Sequence, residues 1–425
     1  MITKKISRWT VKVFFLALSF ALLVAGPLPE WILRAAQPTK GFLKEVIVLP
    51  VWMVKWVPGI SPLSFLSSLE AHRGERLAFL WLFPVIILLL IFIHRGRFFC
   101  RWICPLGTIY EATCLKNMKT HLLKRRISGY FFWGIVFSSA AGFPIFLFFD
   151  PLSTFTRVNL VFEGSMTLAS VVPGLVLPIF IILGLFQPMI WCAKICPLGH
   201  MVDFFVRTDE KYTEKFKKER REIVTGMILA VPAFFLIRKN PFVNKEFSPV
   251  LPPGAGDKET FSALCSRCYA CVNVCPTRIL TVDFPRDADM GRWFEPEMDA
   301  YNGTCQESCN NCTQVCPTAA IKKLSFEDKH RTQIGVAQVF KEKCIAWCEK
   351  DYCVVCIEFC PYKAIEDTTS ESGYPRPVVN PEICRGCGIC QNACPVSDNG
   401  AAIVVGGIKK QRRLTARTDS SIRKY

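Results

Sequence analysis

Apolar residues in the first 238 positions come in long blocks rather than in strict alternation. A helix crossing a bilayer needs about 20 apolar residues. The pattern predicts five such spans: Val11 to Leu28, Leu77 to His94, Gly129 to Phe149, Met166 to Ile190 and Ile223 to Ile237. The stretch "VIVLPVWMVKWVPGISPL" is also apolar, but Pro50, Pro58 and Pro62 interrupt it. It is read as an interfacial piece, with Trp52 and Trp56 at headgroup depth. After residue 238 no apolar run is long enough to span. The expected organisation is a membrane all-α domain over 1–222 with four transmembrane helices, a fifth helix over 223–238 and a linker over 239–260. A soluble domain over 261–405 and a basic tail over 406–425 follow.

The chain has 425 residues and a formal charge of +17, so more than one packed unit is expected. Segments 1–12, 95–127 and 192–222 carry four, eight and eight Lys or Arg, while segments 34–76 and 150–165 carry six and one. Twenty against seven places the first group in the cytoplasm. Five crossings then put residues 239 onward on the periplasmic side of an inner membrane. No nucleic-acid module accompanies the basic charge, so no nucleic-acid partner is expected. The tail "KKQRRLTARTDSSIRKY" reads as a disordered segment for an acidic partner or lipid headgroups.

Of 22 cysteines, five lie in residues 1–238 and seventeen in 239–425. In the first part, "FFCRWICPLGTIYE" and "MIWCAKICPLGHMVD" repeat a Cys-x3-Cys-Pro-Leu-Gly motif at Cys100 and Cys104, then at Cys192 and Cys196. Duplicated units tend to face one another, which would bring four thiolates together. Four thiolates suit a [4Fe–4S] cluster, a tetrahedral zinc or dithiol chemistry. Cys114 has no spacing partner and reads as a small packed residue.

The second part holds four cysteine groups whose first members, at 265, 305, 344 and 384, are 39 or 40 residues apart. The groups are Cys265, Cys268, Cys271, Cys275; Cys305, Cys309, Cys312, Cys316; Cys344 or Cys348, Cys353, Cys356, Cys360; and Cys384, Cys387, Cys390, Cys394. Three closely spaced cysteines wrap a cubane, and a fourth before proline is aimed at a neighbouring cluster. The spacing therefore predicts four [4Fe–4S] clusters in place of zinc sites or a disulfide scaffold. Group three leaves Cys344 and Cys348 both open as its first ligand.

No Cys-x-x-Cys-His occurs, and His94 and His200 are the only histidines near span ends, so haem is not expected. No glycine fingerprint for a dinucleotide is present. The favoured electron source is a quinol from the membrane quinone pool. Glu30, Glu45 and Glu70 are candidates for its proton chemistry, with no catalytic residue assigned.

These motifs resemble known proteins. Residues 1–210, with the twin Cys-x3-Cys-Pro-Leu-Gly motifs, resemble the NapH and MauN type, also seen in NosR and FixG groups. Residues 218–405, with "LPPGAGDKETFSALCSRCYACVNVCPT" and "CIAWCEKDYCVVC", resemble the exported NapG and MauM type. The resemblance implies an α+β polyferredoxin domain of two paired bacterial-ferredoxin-like units, and a twin-arginine signal at Arg220 and Arg221. It also implies pairing of group one with four and of two with three. Those ligand sets are Cys265, Cys268, Cys271, Cys394; Cys384, Cys387, Cys390, Cys275; Cys305, Cys309, Cys312, Cys360; and Cys344, Cys353, Cys356, Cys316. The implied function is quinol oxidation with relay through four clusters, and a fifth at the twin motifs, to a partner reductase or cytochrome. The alternative is FixG-like maturation or redox maintenance of another metalloenzyme.

Overall fold

The computed structural model describes residues 2–23, 56–72, 97–113, 127–140, 144–157, 168–187, 189–205, 249–283, 292–348, 351–368, 374–396 and 400–414, with single positions between 86 and 94 and between 220 and 227. Two hydrophobic cores organise them, one over residues 63–202 and one over residues 250–405.

The first core is helical. Its helices are α1 (Ile2–Leu23), α2 (Pro62–His72), α3 (Phe98–Trp102), α4 (Pro105–Thr113), α5 (Ser128–Ala140), α6 (Pro151–Arg157), α7 (Leu168–Phe186) and α8 (Pro197–Phe205). Trp191, Tyr110, Ile135 and Phe155 are almost wholly removed from solvent at its centre. Helix α5 packs against α2 and α8, while α4 packs against α1, α6 and α7. Arg8 and Lys12 of α1 both grip Glu111 of α4, and the apolar stem of Lys12 is buried on the way.

The second core is built on antiparallel pairs: β1 (Leu280–Val282) with β2 (Pro296–Met298), β3 (Thr332–Val339) with β6 (Ile403–Arg413), and β4 (Ile365–Asp367) with β5 (Pro377–Val379). Short helices follow the cysteine loops. Strand β6 closes the unit on its own beginning. Gln411 accepts from the Gly254 amide at 2.8 Å and donates to the Pro252 carbonyl at 2.8 Å.

The α+β character of the second half agrees with the sequence reading, but the five-span membrane fold does not. Among the described residues no helix is long and apolar enough to cross a membrane. Three of the five expected spans carry features against a crossing in the residues described. Helix α1 carries Lys4, Lys5, Arg8 and Lys12. Helix α5 stops at Ala140 after 13 residues, about 20 Å at 1.5 Å per residue against a hydrocarbon layer of about 30 Å. A 3-10 turn, Ile145–Phe149, follows it. Helix α7 has Pro173 and Pro178 in its interior, each of which removes a helical hydrogen bond. The spans expected at Leu77 to His94 and Ile223 to Ile237 lie mainly outside the described residues. The inner-membrane, multi-pass placement with a periplasmic second half rested on those five crossings and is corrected with them.

Candidate metal centres

The first centre grows from the duplicated motif. In both copies the second cysteine immediately precedes a helix that opens with proline, whose fixed φ and missing N–H suit the first helical position. Pro105 starts α4 and Pro197 starts α8. The Leu-Gly that follows lets each helix press onto its own cysteine loop. A Cβ at Gly107 would stand 2.4 Å from the Cys100 carbonyl oxygen, and one at Gly199 would stand 3.2 Å from that of Cys192. Cys192, Cys100 and Cys104 lie near enough to Cys196 to act on it electrostatically. Arg97, between Cys100 and Cys196 in its influence, donates from Nε and Nη2 to Asp203 at 2.8 and 2.6 Å.

In the second half, Cys265, Cys268, Cys271 and Cys316 line one recess of about 320 Å³. Cys275, Cys305, Cys309 and Cys312 line another of about 360 Å³, and Cys344, Cys353, Cys356 and Cys394 a third of about 370 Å³. Cys360 is close enough to Cys384, Cys387 and Cys390 to oppose the ionisation of each, which completes a fourth set. Twelve cysteines thus line three recesses in fours, and Cys360 lies near Cys384, Cys387 and Cys390. The partners differ from those the resemblance implied: group one pairs with two, and three with four. The reason is local chain reversal. The β1–β2 pair after group one returns the chain so that Cys316 reaches the Cys265–Cys271 loop, and β4–β5 does the same for the second pair.

The loops owe their curl to left-handed residues. Arg267 and Tyr269 have φ of 55° and 60°, and Gly386 and Gly388, at the matching positions of group four, have φ of 78° and 81°. Successive turns of this kind aim backbone N–H groups into a concavity that favours negative charge. Gly386 is also obligatory for space, because a Cβ there would lie 2.5 Å from the Gly335 nitrogen. Amides of Ala337, Ile321 and Ala364 point at the sulfurs of Cys384, Cys316 and Cys360 at 3.5, 3.4 and 3.3 Å.

The open choice in group three is resolved by burial. Cys344 is buried and lines its recess, while Cys348 is exposed. Glu30, Glu45, His94's neighbours at 92–93 and Cys114 lie outside the described residues; Glu70 falls within α2.

Burial decides the state of these thiols. Loss of hydration pushes Cys104 and Cys268 up to about 11 and Cys100, Cys356 and Cys387 up to about 12. Cys265, Cys271, Cys312 and Cys390 also move up, for the same reason first. Such thiols deprotonate only when a bound cation takes the proton's place. None of the 21 described cysteines is in a disulfide. Among the described residues no three His, Cys, Asp or Glu side chains close on a single ion. Thiols spread around a recess fit a cubane, whose four irons each take one sulfur, better than one zinc.

Sequence reasoning missed the contact between the halves. All of α6 is buried, and it faces α4 and α7 on one side and the first cysteine loop on the other. Thr156 Oγ1 donates to the Cys268 carbonyl at 2.8 Å, Arg157 Nε to that of Arg267 at 2.8 Å, and Asn273 Nδ2 to that of Thr156 at 3.3 Å. The available signal was that Arg157 is the one basic residue in segment 150–165.

Comparison with known proteins agrees with this geometry. Residues 77–119 and 170–218 match a 4Fe-4S binding domain, 264–320 a 4Fe-4S dicluster domain and 375–396 a 4Fe-4S binding domain. The dicluster match ends just past Cys316, as the observed pairing requires. The chain is 30% identical over 153 residues to the ferredoxin-type protein NapF of Escherichia coli K12, covering 36% of this chain and 84% of that protein. It is 30% identical over 190 residues to the methylamine utilization ferredoxin-type protein MauM of Methylobacillus flagellatus, covering 43% and 79%. It is 29% identical over 205 residues to the ferredoxin-type protein NapG of Haemophilus influenzae, covering 45% and 70%. No solved structure matches the chain. On these matches, and with its repeated cysteine motifs, the chain belongs to the ferredoxin-type 4Fe-4S electron-transfer proteins, the family of NapF, NapG and MauM.

Proposed function

We propose that the chain is a five-centre electron relay in which single electrons pass in the order first-half centre, Cys265 set, Cys305 set, Cys384 set, Cys344 set. When bound, each cluster supplies a one-electron redox couple whose potential depends on hydrogen bonds, charge and exposure. The observation that carries the reading is the exchange of last cysteines: Cys275 and Cys316 cross between the first two recesses, and Cys360 and Cys394 between the last two. The two pairs meet where the Cys305 amide donates to the Cys387 carbonyl at 2.9 Å. At the far end, Tyr352 is 69% exposed beside Cys353, which gives a partner reductase or cytochrome a place to dock.

The likeness of the first half to NapH and MauN belongs to this proposal, supported by its match to a 4Fe-4S binding domain. A quinol is the proposed donor, giving two electrons that the relay divides. The maintenance alternative needs thiols open to exchange, and Cys104 and Cys196 are only 5% and 6% exposed. Anaerobic purification with iron and sulfide counting is the test, followed by spin-resonance spectroscopy during reduction with a quinol. The relay expects about 20 irons per chain, four for each cubane, and a quinol-reducible signal. About 16 irons removes the first-half centre, and reduction by dithionite alone removes the quinol.

A further inference from the structure

The side chain of Arg157 is 0% exposed and sits at the seam between the halves. Its Nε donates to the Arg267 carbonyl at 2.8 Å, Nη2 to the Ser266 carbonyl at 3.4 Å, and Nη1 to the Phe148 carbonyl. Its Cζ lies 4.4 Å from the centre of the Phe148 ring and 5.7 Å from that of Tyr269. Every polar partner is a neutral carbonyl. Among the described residues no carboxylate lies within ion-pair distance of it. Asp150, at the start of the same helix, is instead bonded to Ser61 and Ser153.

Asp150 acts on Arg157 electrostatically without contacting it, and a buried cation with no contacting counter-ion is costly unless something nearby compensates it. The carbonyls it holds belong to the Cys265–Cys271 loop, and Thr156 holds the next one, that of Cys268. Other charges around this loop are already matched: Arg267 pairs with Glu295 at 3.0 Å, both fully buried. The corresponding carbonyls of the fourth loop are held by neutral donors. The Ile334 amide takes that of Arg385, the counterpart of Ser266, at 3.0 Å, and Gln333 Nε2 takes the neighbouring Cys384 carbonyl at 2.6 Å. Arg385 of the fourth loop also holds only carbonyls, those of His330 and Ile383, but it is half-buried and belongs to the loop itself, whereas Arg157 is fully buried and comes from the other half of the chain.

We propose that Arg157 is a positioning residue that raises the reduction potential of the centre at Cys265, Cys268, Cys271 and Cys316, so that docking of the first half makes this the electron-accepting step between the halves. A cubane with four thiolates is anionic and gains one more negative charge on taking an electron. A fixed positive charge in a low-dielectric setting stabilises that added charge. One electron arrives from the first-half centre, and no proton or bond changes. The inference rests on the relay reading for this centre.

The test uses the full, cluster-loaded chain. Arg157→Gln keeps hydrogen-bond donors but removes the charge, and Arg157→Lys keeps the charge. Spin-resonance redox titration of each variant is compared with wild type, with the signal of this centre assigned by its loss in Cys271→Ser. The expected result is a fall of at least tenfold in the reduction equilibrium constant of that one centre in Arg157→Gln, about 59 mV for one electron. The other midpoints stay fixed and iron content is unchanged, while Arg157→Lys stays near wild type. Unchanged midpoints at full iron, or an equal shift in every centre, would overturn the proposal. If Arg157→Gln loses iron, Arg157→Lys decides: a loaded centre at wild-type potential supports the proposal, and a lowered potential or lost iron defeats it. A wild-type chain lacking the cubane signal would instead defeat the relay reading.

Discussion

Arg97 and Asp203 form a two-pronged clasp at 2.8 and 2.6 Å, joining the approach to Cys100 with the helix that follows Cys196. It ties one copy of the duplicated motif to the other, so the first-half centre depends on a contact more than 100 residues apart in sequence. The side chains are 39% and 33% exposed, so screening holds the pair to about 1 kcal/mol despite its geometry. Arg97→Gln is expected to speed iron loss from this centre under chelator challenge while the other four hold theirs. Uniform loss from all five would contradict the clasp.

Burial assigns group three. Cys344→Ser should remove one cubane, about four irons per chain, whereas Cys348→Ser should leave iron and spin-resonance signals intact. The reverse outcome would place the ligand at the exposed thiol.

The pairing of groups makes a crossed prediction. Cys316→Ser should disturb the centre of Cys265, Cys268 and Cys271, and Cys394→Ser that of Cys344, Cys353 and Cys356. Spectra of each single variant beside Cys271→Ser and Cys356→Ser read this directly. A Cys394→Ser spectrum matching Cys271→Ser would restore the pairing implied by resemblance.

The two motif glycines should not tolerate alanine equally. Alanine in a helix gains about 1 kcal/mol over glycine, while overpacking costs about 1–3 kcal/mol. At Gly107 the new Cβ would meet backbone oxygen at 2.4 Å, and at Gly199 at 3.2 Å. Gly107→Ala is therefore expected to lower the melting temperature and Gly199→Ala to leave it nearly unchanged, as read by thermal unfolding of the loaded protein.

Glu295 carries the charge balance of the first loop. It pairs with fully buried Arg267 at 3.0 Å and lies 3.6 Å from Arg292. Removing one partner of a buried pair strands the other, at about 3–5 kcal/mol. Glu295→Ala should show that loss in chemical denaturation, and a change below about 1 kcal/mol would mean that water reaches Arg267.

The long apolar blocks misled because hydropathy counts residues and not helix form: the block from Gly129 to Phe149 holds a 13-residue helix and a separate 3-10 turn, and that from Met166 to Ile190 has two prolines inside its helix. The motif repeat had a structural counterpart, since each Cys-Pro opens a helix in the same way, at Pro105 and at Pro197. Arg157 escaped notice because its partners are backbone carbonyls, which carry no mark in a sequence.

By itself the sequence determined the loops. In groups one and four, three cysteines within seven positions, closed by Cys-Pro, constrain a short piece of backbone to surround a cubane, and the family followed from such loops. Only the tertiary structure decided which loop lends its fourth sulfur to which neighbour, which of Cys344 and Cys348 turns inward, and what cation rests against the first loop. Each of these depends on strand pairs and helices closing over distances of tens to more than a hundred residues, where spacing alone carries no geometric information.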